Sequence, residues 1–358
     1  MILLLSASVA FIVSFAPASH SIVIAYTPLS PIIIDNDTDF AAQALAESWP
    51  GTGTVGDPYV IAGYQIDGTG HTYGVYIGNT TAYFVLSDCL VENSGSGSSC
   101  IELSNITNGV LENNTCSGAI YGISLDNSNN NILSINNCSN CDDGIILHTS
   151  NNNTVAGNNC SNDRWDAFSM FDSHNNTLAN NTFSYSVNYG IALVSCFNNT
   201  LVNNTCSFDY IGMMLEWTST YGNIVYGNNI WNNTLWGISL SFETNNNRIW
   251  NNTLYYNNGA GDVYDSSHIQ AIDDGTNNSW NSTDGYGNFW SDWTTPDVAP
   301  PFGIVDTPYG IAGSAGAEDF YPLTTPQTPI PEFPMMPFVV MVLLLVVALT
   351  IRARRKSA

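Results

Sequence analysis

Basic residues are nearly missing from this chain. Six Lys and Arg stand against 30 Asp and Glu, and four of the six, Arg352, Arg354, Arg355 and Lys356, fall in the last seven of 358 positions. The remaining body holds two basic and 30 acidic residues, a formal net of −28. A field of that sign repels polyanions, which argues against nucleic acid as a partner and favours cations and neutral ligands. Charge of either sign is scarce, at 10% of residues, whereas hydrophobic residues make up 44%. That content can bury a sizeable core, as one long domain or two shorter ones. Histidine is also sparse: His20, His71, His148, His174 and His268 are dispersed along the chain. Copper needs clustered His, Met or Cys, so copper is not expected.

The two ends are apolar. Residues 2–16 run ILLLSASVAFIVSFA and reach Ala16-Pro17-Ala18, which has the form of a signal-peptidase site, although no basic residue precedes the run. The reading is export, with residues 1–25 as a signal peptide or an N-terminal anchor. At the other end Met335 to Ile351 is apolar and the basic cluster follows. Seventeen helical residues span roughly 25 Å, enough for a transmembrane helix with some bilayer thinning. The basic cluster marks the cytoplasmic side, which places the body at the extracellular face. Residues 324–334 are Pro-rich and read as a stiff stalk.

Between the ends the chain repeats itself. Cys116, Cys138, Cys160, Phe183, Cys206, Ile230 and Leu254 are spaced by 22, 22, 23, 23, 24 and 24 residues. Two positions before each stands Asn: Asn114, Asn136, Asn158, Asn181, Asn204, Asn228 and Asn252. Five positions before each lies another apolar residue: Leu111, Leu133, Val155, Leu178, Leu201, Val225 and Ile249. A further apolar pair follows a small residue, as in Gly122-Ile-Ser-Leu and Gly190-Ile-Ala-Leu. Three short alternating strands per repeat leave no room for a helix, so the pattern predicts an all-β coil of three parallel sheets. Asn suits the bends because it tolerates left-handed backbone and can bond from rung to rung.

This pattern resembles the right-handed parallel β-helix repeat family of carbohydrate-binding proteins, sugar hydrolases and NosD-type copper-binding accessory proteins. The resemblance implies a single-stranded solenoid of about eight coils over residues 73–260. The helix-like run Asp37 to Ser48 then belongs to an N-terminal cap (26–72). Gly287-Asn-Phe-Trp-Ser-Asp-Trp293, Asp306-Thr-Pro-Tyr309 and Asp319-Phe-Tyr-Pro-Leu323 are similar to a C-terminal capping segment (261–323) of archaeal surface proteins. Calcium is associated with that segment in the resemblance, but Asp297-Val-Ala-Pro-Pro-Phe-Gly303 departs from the Asp-rich form. Pro331-Glu-Phe333 before the apolar run (335–358 with its tail) resembles a C-terminal sorting signal.

The columns assign many residues to structure. Four of the eight cysteines occupy the inner column and read as buried thiols, since disulfide geometry is specific and their side chains run parallel. A lyase needs a basic residue at its site, but Arg164 and Arg248 lie nearly four coils apart, roughly 17 Å at the rung spacing. Hydrolysis needs two carboxylates, and Asp143 and Asp166 each precede the small residue that opens a coil, so they stack one rung apart. The other reading of that pair is a solvated turn, and a bound cation such as calcium is a third. Outward positions carry Tyr226, Trp231, Trp250 and Tyr255 in the late coils, an expected platform for a neutral sugar unless the C-terminal segment covers them. Fifteen N-x-S/T sequons occur, and Asn113, Asn180, Asn203 and Asn251 each precede a ladder Asn, facing outward as glycosylation candidates. The preferred reading is a non-catalytic, anchored surface β-helix that binds carbohydrate or an envelope component. A polysaccharide hydrolase is the enzymatic alternative, and a copper accessory protein the weakest.

Overall fold

Strands of two to six residues cannot satisfy their own backbone groups, so each must pair with the coil before and the coil after it. The computed structural model, which describes residues 26–94 and 98–326, is built on that requirement. Among the described residues, three parallel sheets of eleven, ten and nine strands run side by side. The eleven-stranded sheet runs from Thr27–Leu29 to Phe289–Trp290, the ten-stranded from Ile32–Ile34 to Ala271–Asp273, and the nine-stranded from Tyr59–Ala62 to Arg248–Trp250. Together they make a parallel β-solenoid. The sheets begin at Thr27 and end at Trp290, so the coil reaches beyond 73–260 into both segments expected to be caps.

Register follows the columns. Leu133 pairs with Leu111 and Val155, Cys116 with Val91 and Cys138, and Ile145 with Ile123 and Phe168. Every one of these side chains is buried, and together they form one continuous core along the axis. Burial of each Leu or Ile contributes on the order of 2 kcal/mol. All eight cysteines are buried and unbridged.

The bends are held by amide ladders. Asn114 Nδ2 donates to Asn136 Oδ1 (3.0 Å) and to the Leu86 carbonyl (2.9 Å), while the Asn114 amide N donates to the same Asn136 oxygen. The pattern repeats rung by rung through Asn252 to Asn288. A second ladder, Asn131, Asn153, Asn176, Asn199, Asn223 and Asn247, lines the bend that enters the nine-stranded sheet. Just before each first-ladder Asn the backbone is left-handed, at Asn113, Ile135, Gly157, Asn180, Asn203, Gly227 and Asn251. Asn and Gly accept that conformation; β-branched Ile135, at φ 57°, is strained there.

The one described α-helix, Asp37–Ala46, starts on an Asn36 cap that accepts the Asp39 amide. It drops Phe40 over the open end of the core, stacked on Tyr59 at 4.6 Å. At the far end Trp280 and Trp290 are buried, with their indole N–H groups donating to Asp273 (3.0 Å) and Asp319 (2.9 Å). No helix among the described residues is long and apolar enough to cross a membrane. The candidate signal at 1–25, residues 327–334 of the stalk and the apolar run from Met335 lie outside the described residues.

Candidate functional site

Alternation sends every second residue of the ten-stranded sheet outward, and stacking turns those positions into rows along the axis. The row that opens the sheet reads Tyr121, Asp143, Asp166, Tyr189: Tyr121 pairs with Asp143, the Gly144 amide bonds the Asp166 carbonyl, and the Ala167 amide bonds the Tyr189 carbonyl. Two carboxylates are thus flanked by two half-buried phenols on successive rungs.

Each carboxylate supports the next rung. Asp143 Oδ1 accepts the Asp166 amide (3.0 Å), and Asp166 Oδ1 accepts the Tyr189 amide (3.3 Å). Asp166 Oδ2 also accepts the Ser169 hydroxyl (2.7 Å), which fixes it, whereas Asp143 Oδ2 has no hydrogen bond among the described residues. Burial pushes Asp143 up to about 6, with the Asp166 and Asp142 charges adding to the rise against the Asp166 amide. Burial also raises Asp166, with Ser169 opposing. Trp165, half exposed, lies one rung on from Asp142, and Arg164 reaches Asp142 at 3.5 Å from a solvent-exposed position. A groove of about 540 Å³ opens beside Asp142 and Arg164, lined also by Ala119, Ile120 and Asn140.

A second pair on the same sheet was not apparent from sequence. Asp126 and His148 pair across neighbouring rungs, with Nδ1 to Oδ1 at 3.0 Å and the Thr149 hydroxyl 3.2 Å from the same nitrogen. The Asp126-to-His148 spacing of 22 residues equals one repeat, and that was the available signal.

The four late aromatics divide between two faces. Tyr226 and Trp250 belong to the nine-stranded sheet, Trp231 and Tyr255 to the eleven-stranded, with the Asn ladder bend between them. Tyr226 and Trp250 stack at 4.9 Å with an interplanar angle of 4°, so their faces are turned on each other and their edges outward. Trp231 meets Phe208 edge-on at 4.6 Å, and Tyr255 lies against Phe289 at 5.2 Å. The expected single platform is therefore two separate aromatic clusters, because a bend lies between residues five apart in sequence. Ladder residues Asn114, Asn181, Asn204 and Asn252 are buried, while Asn113 and Asn180 are exposed and Asn203 and Asn251 half-buried.

With this geometry established, comparison with known proteins adds a family. The profile of "Periplasmic copper-binding protein (NosD)" matches residues 21–183 and 98–295, more than half of the chain. No curated protein matches by sequence. Among solved structures the chain is similar to an alginate lyase from Paenibacillus sp. str. FPU-7 (13% identity, TM-score 0.50, covering 72% of this chain and 94% of that one). It is also similar to the Azotobacter vinelandii mannuronan C-5 epimerase AlgE6 A-module (14% identity, TM-score 0.50, 62% of each chain). The periplasmic alginate epimerase AlgG is similar at 18% identity and TM-score 0.47, over 62% of this chain. This chain spans 59% of the length of that AlgG structure. At these identities the likeness is one of fold.

Proposed function

The chain belongs to the periplasmic copper-binding protein (NosD) family, and within it we propose a cell-envelope β-helix that binds neutral carbohydrate on the outer face of its ten-stranded sheet. The observation that carries this reading is the row Tyr121, Asp143, Asp166, Tyr189, with Trp165 beside it. Phenol and indole faces suit the C–H faces of a sugar ring, and carboxylate oxygens accept from its hydroxyls. The net charge of −24 selects against uronates and other polyanions. Export through the apolar run at 2–16 and anchorage through Met335–Ile351 accord with an envelope role.

The family description raises copper, and the residues present do not fit it. Among the described residues no group of three or more His, Cys, Asp and Glu is placed to hold a metal ion. Cys100, Cys116, Cys138, Cys141 and Cys160 adjoin one another, yet all are buried and their thiols are raised, Cys116, Cys138 and Cys160 chiefly by burial, Cys100 and Cys141 chiefly by neighbouring thiols. Metal ligation needs the thiolate.

A glycan array probed with the full-length chain tests the reading. Neutral glycans should bind, Tyr189→Ala should weaken binding about tenfold, and Trp250→Ala should leave it unchanged. Preference for uronates, or indifference to Tyr189→Ala, overturns it. One observation favours a second reading as a hydrolase: Asp143, raised to about 6 and with no hydrogen bond at Oδ2 among the described residues, suits a proton donor with Asp166 as the second carboxyl one rung away. Asp143→Asn would then abolish turnover while binding persists; an array ligand that is never cleaved by the wild-type chain rules this out.

A further inference from the structure

The bend that follows the eleven-stranded sheet carries a third ladder, and its composition is mixed. Successive rungs place Cys141, Asp163, Ser186, Asp209, Asn233 and Asn257 at the same point, three residues after the inner column. Where the residue is Asn, two kinds of bond form. Asn233 Oδ1 accepts the Asp209 amide (2.9 Å), while Asn233 Nδ2 donates to the Cys206 carbonyl (3.2 Å) and to Asn257 Oδ1 (2.9 Å). Asn257 repeats this with the Asn233 amide, the Ile230 carbonyl and Gln270.

The two Asp residues complete only the accepting half. Asp163 Oδ1 takes the Cys141 amide (3.0 Å) and Asp209 Oδ1 the Ser186 amide (2.8 Å). The second oxygen of each stands where an Asn would carry its NH₂, sealed from solvent and without a hydrogen-bond partner. By the column's register those oxygens are directed at the carbonyls of Cys138 and Phe183, which are acceptors too. They pack so closely on Gly144 and Gly190 that an added Cβ there would come within 3.0 Å and 2.6 Å of them. Among the described residues no cation compensates: Asp163 faces Asp143 and the Cys141 and Cys160 thiols, and Asp209 faces Asp163 and the Cys206 thiol, with the Ser186 amide and hydroxyl and the Ser207 backbone opposing the rise that burial causes. Arg164, next in sequence to Asp163, points outward to Asp142.

A protonated carboxyl has the shape of an Asn amide and reproduces its acceptor oxygen and one of its two donors. We propose that Asp163 and Asp209 are held in the folded protein as neutral carboxylic acids that take the place of Asn in this ladder, so that the β-helix gains protons on folding and is stabilised by acid. Burial pushes both up to about 8, consistent with that state at neutral pH. An acid whose folded value is raised leaves stability intact below its unfolded value, near 4, and weakens it as pH climbs to the folded value, near 8. Across that window each acid lowers the folding constant about tenfold per pH unit.

Urea unfolding of the full-length chain between pH 4 and pH 9 tests the proposal. The Asp163→Asn/Asp209→Asn double variant should lose a share of the pH dependence equal to about a hundredfold in folding constant per pH unit, and should be the more stable protein at pH 8. A pH slope equal to the wild type, or lower stability at pH 8, overturns the proposal. Should the variant not fold, infrared spectra of the wild type provide the second readout. A protonated-carboxyl band that persists at pH 6.5 and disappears near pH 8 supports it, and a band absent at pH 6.5 overturns it.

Discussion

Two bends of this β-helix perform the same task with different chemistry. The bend between the nine- and eleven-stranded sheets is Asn on every rung from Asn114 to Asn252, and each amide both accepts and donates. The bend after the eleven-stranded sheet mixes Cys, Asp, Ser and Asn, and leaves Asp163 Oδ2, Ser186 Oγ and Asp209 Oδ2 without partners. A ladder of identical amides is insensitive to pH and tolerates no gap. A mixed ladder carries its rung-to-rung bonding in proton occupancy, and so couples the fold to the solution around it.

The largest expected effect lies in the uniform ladder. Asn204→Leu removes the acceptor of the Asn181 amide and the donor to the Leu178 carbonyl, two buried groups that lose these bonds, while Asn181 Nδ2 loses one of its two acceptors and keeps the Val155 carbonyl. A loss of about 4 kcal/mol is expected by denaturant unfolding, equal at pH 5 and pH 8. A loss that varied with pH would erase the distinction between the two bends. Asn233→Asp sharpens it from the other side by adding a third acid to the mixed ladder. Its folded value should be raised by burial like those of its neighbours, so the substitution should be nearly neutral at pH 4 and cost about 2 to 3 kcal/mol at pH 6. The smallest effect is expected at Ile135, the strained left-handed member of the uniform bend, which is half exposed. Ile135→Gly should stabilise by about 1 kcal/mol, read as a rise in the urea midpoint with an unchanged slope.

The same contrast explains what could be read from the chain beforehand. The Asn114 to Asn252 column and the inner Leu, Val, Ile and Cys columns repeat one residue type at one spacing, and the structure places them in register. The Asn131 to Asn247 column, spaced 22 to 24 residues, was equally visible and follows the same rule. Asp163 and Asp209 carried no such signal, because a column without a constant residue offers no pattern to recognise. The Asp126 and His148 pair escaped for the same reason.

What the sequence determined by itself is the coil, since every rung buries like over like and a slip of one residue would turn the whole inner face to solvent. Only the tertiary structure decided which variable residues share a surface. Tyr226 and Trp231, five residues apart, fall on different faces because a bend separates them, whereas Tyr121 and Tyr189, 68 residues apart, fall in one row because three turns of stacking return them there. What a buried carboxyl faces was decided there too, because its neighbour is the carbonyl of the preceding coil, an acceptor set by the stacking and not by the local sequence.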